Sequence, residues 1–265
     1  PPPPPPPPPG RRPPQTPPLP AKLRFSWQIS IFPNHDFFNF DKNEVQNEIH
    51  EIGISEIKRI RSEMESIIDQ VKWDGDFSSF LNYLRTSPRF YYDNSEDLFN
   101  AYLIMSKTID PLLPKIFKIF PRAPYGVIPI PDESAPFTTT AYYNRPSPGR
   151  PGYFYANLYK PESRPKYEIP VLTVHEAVPG HHFQISIAQE LENVPEFRKH
   201  GGITAFVEGW GLYSEELGEH INLYDDPYDK FGQLTYDMWR AIRLVVDTGI
   251  PVSYTHLTLP TKRIV

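Results

Sequence analysis

The run Val174-His175-Glu176-Ala177-Val178-Pro179-Gly180-His181-His182 places three imidazoles and a carboxylate close together in the chain. Imidazole nitrogens are common zinc ligands, and a catalytic zinc needs protein ligands plus one open position for water or substrate. A glutamate beside the first ligand histidine has the place of a general base for that water, as in the His-Glu-x-x-His helix of metalloproteases. Here the next histidines come six and seven residues after His175, where that motif has four. On an unbroken helix six residues would carry His181 well off the face of His175. Pro179, however, removes a backbone donor and clashes with the carbonyl of His175, and Gly180 tolerates the resulting distortion. A break there can return His181 toward His175, and the spacing alone leaves His182 as an alternative.

A second group is Phe206-Val207-Glu208-Gly209-Trp210-Gly211-Leu212-Tyr213. It opens another helical stretch, so Glu208 can face the first group from an antiparallel neighbour and complete a His/His/Glu set. Glu215, two turns along on the same face, is expected to support a ligand or to be solvated, not to bind metal. Amide hydrolysis also needs a donor for the developing oxyanion, for which Tyr213, Tyr236, His182, Arg240 and Arg243 are candidates. Arg240 and Arg243 share a helix face with Asp247, so they can pair internally or hold a substrate carboxylate. The stretch from Tyr153 to Tyr159, read as a strand edge, offers extended peptide binding by strand addition. His35, His50, His200 and His220 fit no ligand pattern and read as surface residues.

The elements that position these groups are mostly helical. Asp41 and Glu44 form a capping-box arrangement. Behind them Val45, Ile49, Ile52, Ile60, Met64, Ile67 and Val71 recur as one face of a long amphipathic helix. Shorter helices are expected over Ser78 to Arg85, whose stripe Phe77, Phe80, Tyr83 and Leu84 reads as core, and over Ser95 to Ile109. The proline-rich stretch from Pro111 to Pro170 should be extended and loop-rich, with a β-hairpin built from Phe137 to Tyr143 and Gly152 to Tyr159. Three helices follow, over about Pro170 to Glu192, Thr204 to Leu217 and Pro227 to Asp247; Asp226 caps the last, with proline in its first turn. The fold class is mainly α with one small β-hairpin.

The chain has 265 residues, a formal charge of −5 and no cysteine. Its length is ample for a buried core. Its mild acidity argues against nucleic-acid binding. The missing thiols exclude a disulfide scaffold and cysteine catalysis, and no apolar run is long enough to span a membrane. Residues 1–24 read as a proline-rich tail in polyproline II or disordered form, possessing no signal-peptide pattern. Residues 252–265 read as an adapter-like, non-native tail, because Val252 to Thr261 looks like a translated sequencing adapter. The folded unit is then 25–251, and the natural polypeptide is expected to have continued past Ile250.

Three segments carry a family resemblance: HEAVPGHHFQ (His175 to Gln184), FVEGWGLYSEE (Phe206 to Glu216) and RAIRLVVDTGI (Arg240 to Ile250). They resemble the bacterial family called domain of unknown function 885, as do Ile49 to Gly53, Asp76 to Tyr92, Leu113 to Pro131 and Pro151 to Lys166. The likeness covers nearly everything from Asp41 to Ile250 but only the C-terminal half of the longer family. Members are regarded as metallopeptidases, many of them lipoproteins or secreted. The resemblance implies a mainly helical fold and one Zn2+ held as in the glutamate zincins by His175, His181 and Glu208. It selects His181 through its Gly-His pair. It implies Glu176 as the base, a peptide or other amide substrate, and a bacterial, secreted or lipoprotein setting for the full-length protein. Family members usually place a histidine where this chain has Pro251, so the resemblance also implies an incomplete substrate site. A catalytically silent helical domain that binds peptides or partners is the competing expectation, and metal content discriminates the two.

Overall fold

The computed structural model describes residues 42–252 of the chain, with side chains from 46 to 249. The tail 1–24, Asp41, the side chain of Glu44, His35 and the segment beyond Val252 lie outside what it describes.

Helix α1 (Lys42–Gln70) buries Ile60, Met64 and Ile67 of the expected stripe, joined by Ile68, while Ile49, Ile52 and Val71 are half-buried and the side chain of Val45 lies outside the described ones. Helix α2 (Phe77–Thr86) begins where the Asp76 carboxylate accepts from the Ser79 N–H, satisfying one of the orphan donors of a helix start. Its Phe80 and Leu84 pack between α1 and the last described helix, meeting Phe231 and Leu234. Fully burying side chains of this size contributes roughly 1.5–3 kcal/mol each, so this three-helix block is held by apolar contact. That last helix runs Pro227–Val252, beyond the Asp247 expected from sequence, and its start is capped by Asp226, which accepts from the Tyr228 N–H. His50 is a correction. It is half-buried, and its Nδ1 lies 3.1 Å from the Val245 carbonyl and 3.2 Å from the Thr248 hydroxyl, tying α1 to the last helix.

Helix α3 (Ser95–Ile109), capped by Asn94, leads into the proline-rich stretch. There the expected hairpin forms from β2 (Ala141–Asn144) and β3 (Gly152–Ala156), both shorter than the sequence suggests. A third strand, β1 (Tyr125–Pro129), pairs parallel to β3, giving the order β1-β3-β2. The sequence hides β1 because prolines flank it, and proline is tolerated only at strand ends and edges. One sheet face, with Phe154 and Ala156 at its centre, packs on Leu98 and Tyr102 of α3.

The single helix expected over Pro170 to Glu192 is two helices, α4 (Ile169–Glu176) and α5 (His181–Glu190), separated by a break that contains the cis Val178–Pro179 peptide. All eight residues of α4 are buried. A short helix α6 (Glu196–His200) lies in the connection to α7 (Thr204–His220), and the last helix is α8 (Pro227–Val252). Among the described residues no helix is long and apolar enough to cross a membrane.

Candidate metal centre

His175 stands in the last turn of α4 and His181 at the first position of α5. Their rings meet edge to face with centroids 4.6 Å apart. Glu208, one turn into α7, reaches both: its carboxylate oxygens lie 3.6 Å from His175 Nε2 and 3.7 Å from His181 Nε2. One ligand atom from each of the three lies within 4.8 Å of the others. Two ligands of a tetrahedral zinc, each bonded at about 2.0–2.1 Å, stand roughly 3.3 Å apart. The donor set therefore fits such an ion with small movements. The other ring nitrogen of His181, its buried Nδ1, has no hydrogen-bond partner among the described residues.

The local sequence explains the convergence. At Gly180 a Cβ would fall 1.9 Å from the His175 carbonyl oxygen, so only glycine lets the chain turn this tightly. The break is pinned from α7, where the Trp210 indole N–H donates to the Pro179 carbonyl at 2.8 Å. One residue on, a Cβ at Gly211 would meet His175 Cε1 at 2.6 Å, so Gly211 makes the space in which the imidazole lies. The Glu-Gly-Trp-Gly run thus supplies a carboxylate, a clamp and a gap.

Glu215 has the supporting place. It is fully buried, and its Oε1 accepts from His175 Nδ1 at 2.6 Å. That bond fixes the tautomer and turns Nε2 toward Glu208, an orientation that raises the ligand basicity of metal-bound histidines. Arg240 of α8 holds the same carboxylate through two N–H groups at 2.6 and 2.9 Å. Burial pulls the His175 imidazole down, but the nearby Glu208 and Glu215 carboxylates outweigh this and push it to about 9. Burial, then the charge on His175, press His181 down to about 4. The contact with His175 holds Glu208 below the usual carboxylate range, against its partial burial. Glu208 and Glu215 thus supply the negative charge that faces His175, and Arg240 pairs with the buried one of the two.

Glu176 is buried and borders the same cleft, and burial lifts its carboxyl to about 7. The cleft encloses about 310 Å3 between the two histidines, Glu176, Glu208, the apolar side chains of Ile185 and Val207, and Ala141, Tyr142 and Tyr143 of β2. Tyr142 and Tyr143 carried no role in the sequence reading. Only their place in a hairpin hinted at them.

The other sequence candidates are placed elsewhere. His182 points away from His175: its Nε2 donates to the Ala123 carbonyl at 3.1 Å and its Nδ1 accepts from the Tyr143 hydroxyl at 2.8 Å. The physical reason is that successive helical residues project about 100° apart, so only one of the pair can face His175. Tyr213 stands edge to face against Trp210, outside the lining of the cleft. The Tyr236 hydroxyl donates to Glu168 at 3.3 Å. Arg243 is exposed and paired with Asp247, while Arg240 is committed to Glu215. The expected peptide-binding edge at Tyr153 to Tyr159 is also corrected. β3 is the central strand with both sides paired, and β2 is the outer strand beside the cleft.

The family profile described as "Bacterial protein of unknown function (DUF885)" matches residues 41–258. No curated protein matches. A solved structure, "The crystal structure of the putative lipoprotein from Colwellia psychrerythraea", superposes with a TM-score of 0.73 at 31% identity. The match covers 77% of this chain and 36% of that one, so the chain spans little more than a third of that protein's length. The chain belongs to the bacterial family of unknown function DUF885.

Proposed function

We propose that the chain carries a single-zinc hydrolytic centre that cleaves an amide bond, with an extended peptide as substrate. The observation that carries this reading is the convergence of His175, His181 and Glu208 beside a buried Glu176 that is not needed as a ligand. A zinc ion held by the three would polarise the scissile carbonyl and make water acidic enough for attack near neutral pH. The chain's own residues do the rest. Glu176 accepts a proton from the attacking water and returns it to the leaving nitrogen as the carbon–nitrogen bond breaks. Glu215 and Arg240 keep the His175 imidazole aimed.

The sheet supports an extended substrate. Asn157 N–H donates to the Thr140 carbonyl at 3.0 Å, so in the antiparallel register Tyr142 and Asn144 also turn their backbone groups inward to β3. Ala141 and Tyr143 then turn theirs outward at the cleft, where a peptide strand can take them up. The likeness to a protein described as a lipoprotein supports an envelope or secreted setting for the full-length protein.

Metal analysis of protein purified without chelator tests the centre, and should give one zinc per chain. Glu176→Gln should retain that zinc and lose hydrolysis by about 10²–10⁴-fold, whereas Glu208→Gln should release the zinc. Equal loss of metal in both variants would contradict the division of roles. A zinc-free wild type would instead favour a silent partner-binding domain. Cleavage of small esters but of no peptide would move the substrate class.

A further inference from the structure

We infer that Tyr142, stacked on Tyr155, selects an aromatic side chain at one position of the bound peptide; this rests on the peptide reading above. Strand alternation fixes the faces. Tyr142 pairs with Tyr155, and Asn144 with Tyr153, so these four side chains share one sheet face. The pattern of burial agrees. Phe154, Ala156 and Ala141 on the opposite face are buried, whereas Tyr142, Tyr153 and Tyr155 are half-exposed. The Tyr142 and Tyr155 rings lie 4.6 Å apart and nearly parallel at 11°, with Tyr153 edge-on to Tyr155 at 6.2 Å. On the neighbouring strand β1, Gly126 lies opposite Tyr153 and leaves that ring uncovered, while Ile128 lies opposite Tyr155 and borders the platform on the side away from Tyr142. The platform is continuous with the metal cleft, since Tyr142 belongs to both.

The register then singles out one substrate residue. A peptide paired with the outward groups of Ala141 and Tyr143 has, between those two pairings, a residue directly opposite Tyr142. That position is a non-hydrogen-bonded pair, the kind in which side chains approach most closely. The substrate side chain there lies on the Tyr142 face, and aromatic pairs across strands attract beyond their burial. A residue displaced by one points to the other face. A residue displaced by two meets Asn144, whose side-chain oxygen accepts from Arg150 at 3.2 Å, a polar neighbour that offers no stacking partner. Selectivity is therefore confined to a single position.

Zinc-loaded Glu176→Gln, in the full chain, binds without cutting and provides the test. Single phenylalanines are scanned through a six-residue alanine and glycine peptide and Kd is measured for each. One position should bind about five-fold tighter than the rest. Tyr142→Ala should erase that advantage and Tyr142→Phe should keep it, with zinc content unchanged in both. Peptides that bind with no preferred position, or a preference that survives Tyr142→Ala, would overturn the inference while leaving the peptide reading standing. Retained zinc with no binding of any peptide would overturn the peptide reading itself, and this inference with it.

Discussion

The block formed by α1, α2 and α8 and the core of α4, α5 and α7 are buried to a similar depth by opposite chemistry. In the first the buried residues include Ile60, Met64, Phe80, Leu84, Phe231 and Leu234, and among the described residues the block buries the polar Gln233 but no charged side chain. In the second, His175, Glu176, His181, His182, Ser214 and Glu215 are all buried. Apolar burial stabilises by roughly 25 cal/mol per Å2, whereas buried charges must recover a desolvation cost through pairing and hydrogen bonds. The first region therefore holds the molecule together. The second carries an arrangement that costs stability, and it is where three side chains able to hold a metal ion converge. Glu215 shows the compensation most clearly, with His175 and Arg240 on its oxygens and the Tyr224 hydroxyl donating to its own carbonyl at 2.8 Å.

If the regions are as distinct as this implies, stability and metal affinity should respond to different substitutions. The largest effect is expected from Phe80→Ala. Phe80 is fully buried and touches Trp73, Tyr83, Tyr228 and Phe231 through its ring. Its removal should cost about 3–5 kcal/mol in denaturant unfolding. Zinc affinity, measured under conditions where the variant is folded, should stay as in wild type. A parallel fall in zinc affinity would mean that the block also sets the geometry of the centre.

The converse comes from Glu215→Gln. The amide can accept from only one of its two former partners' directions and carries no charge for Arg240 and His175. Zinc affinity should fall by about 10–100-fold, the usual effect of removing the group that orients a ligand histidine. Arg243→Ala is the control on the same helix as Arg240. Its guanidinium pairs with Asp247 at the surface, so zinc affinity should not change. A Glu215→Gln variant with wild-type zinc affinity would show that the His175–Glu215 bond does not orient the ligand.

The two regions also differ in how far the sequence reveals them. Periodicity alone exposes the first, because the stripe Ile60, Met64, Ile67 and the pair Phe80, Leu84 follow the helical repeat, and Asp76 and Asn94 mark the helix starts they cap. In the second, residue type points to His175, Glu176 and Glu208, since few other arrangements place a His-Glu pair before a proline-glycine break. The choice between His181 and His182 is not fixed by spacing. It depends on where α5 begins after the break and on Ala123 and Tyr143, which come from distant parts of the chain to take His182. Glu215 was visible as a supporting group, but its pairing with Arg240 depends on how α7 crosses α8. Strand β1 and the central place of β3 were hidden for the same reason. Parallel pairing is set by tertiary contact, and no local pattern in Tyr125 to Pro129 announces it.

Glu168 tests the seam between the regions and carries the smallest of these effects. It immediately precedes α4, and it accepts from Tyr236 of α8 at 3.3 Å. Burial raises its carboxyl to about 7, with the Tyr236 bond and Arg164 opposing part of the rise. The protonated form is thus favoured by the fold. Its contribution is complete below the unfolded-state value near 4.5 and is lost as pH rises through 7. Glu168→Gln keeps an acceptor for Tyr236 and cannot ionise. Urea unfolding should therefore find the variant and wild type alike at pH 5, with the variant more stable by about 1–2 kcal/mol at pH 8. The gain should appear without any change in zinc affinity, because Glu168 is not among the residues that line the cleft. Stability curves that run parallel from pH 5 to pH 8 would show that the seam tolerates a charge. The contrast between an apolar block and a polar centre would then have no sharp boundary at the start of α4.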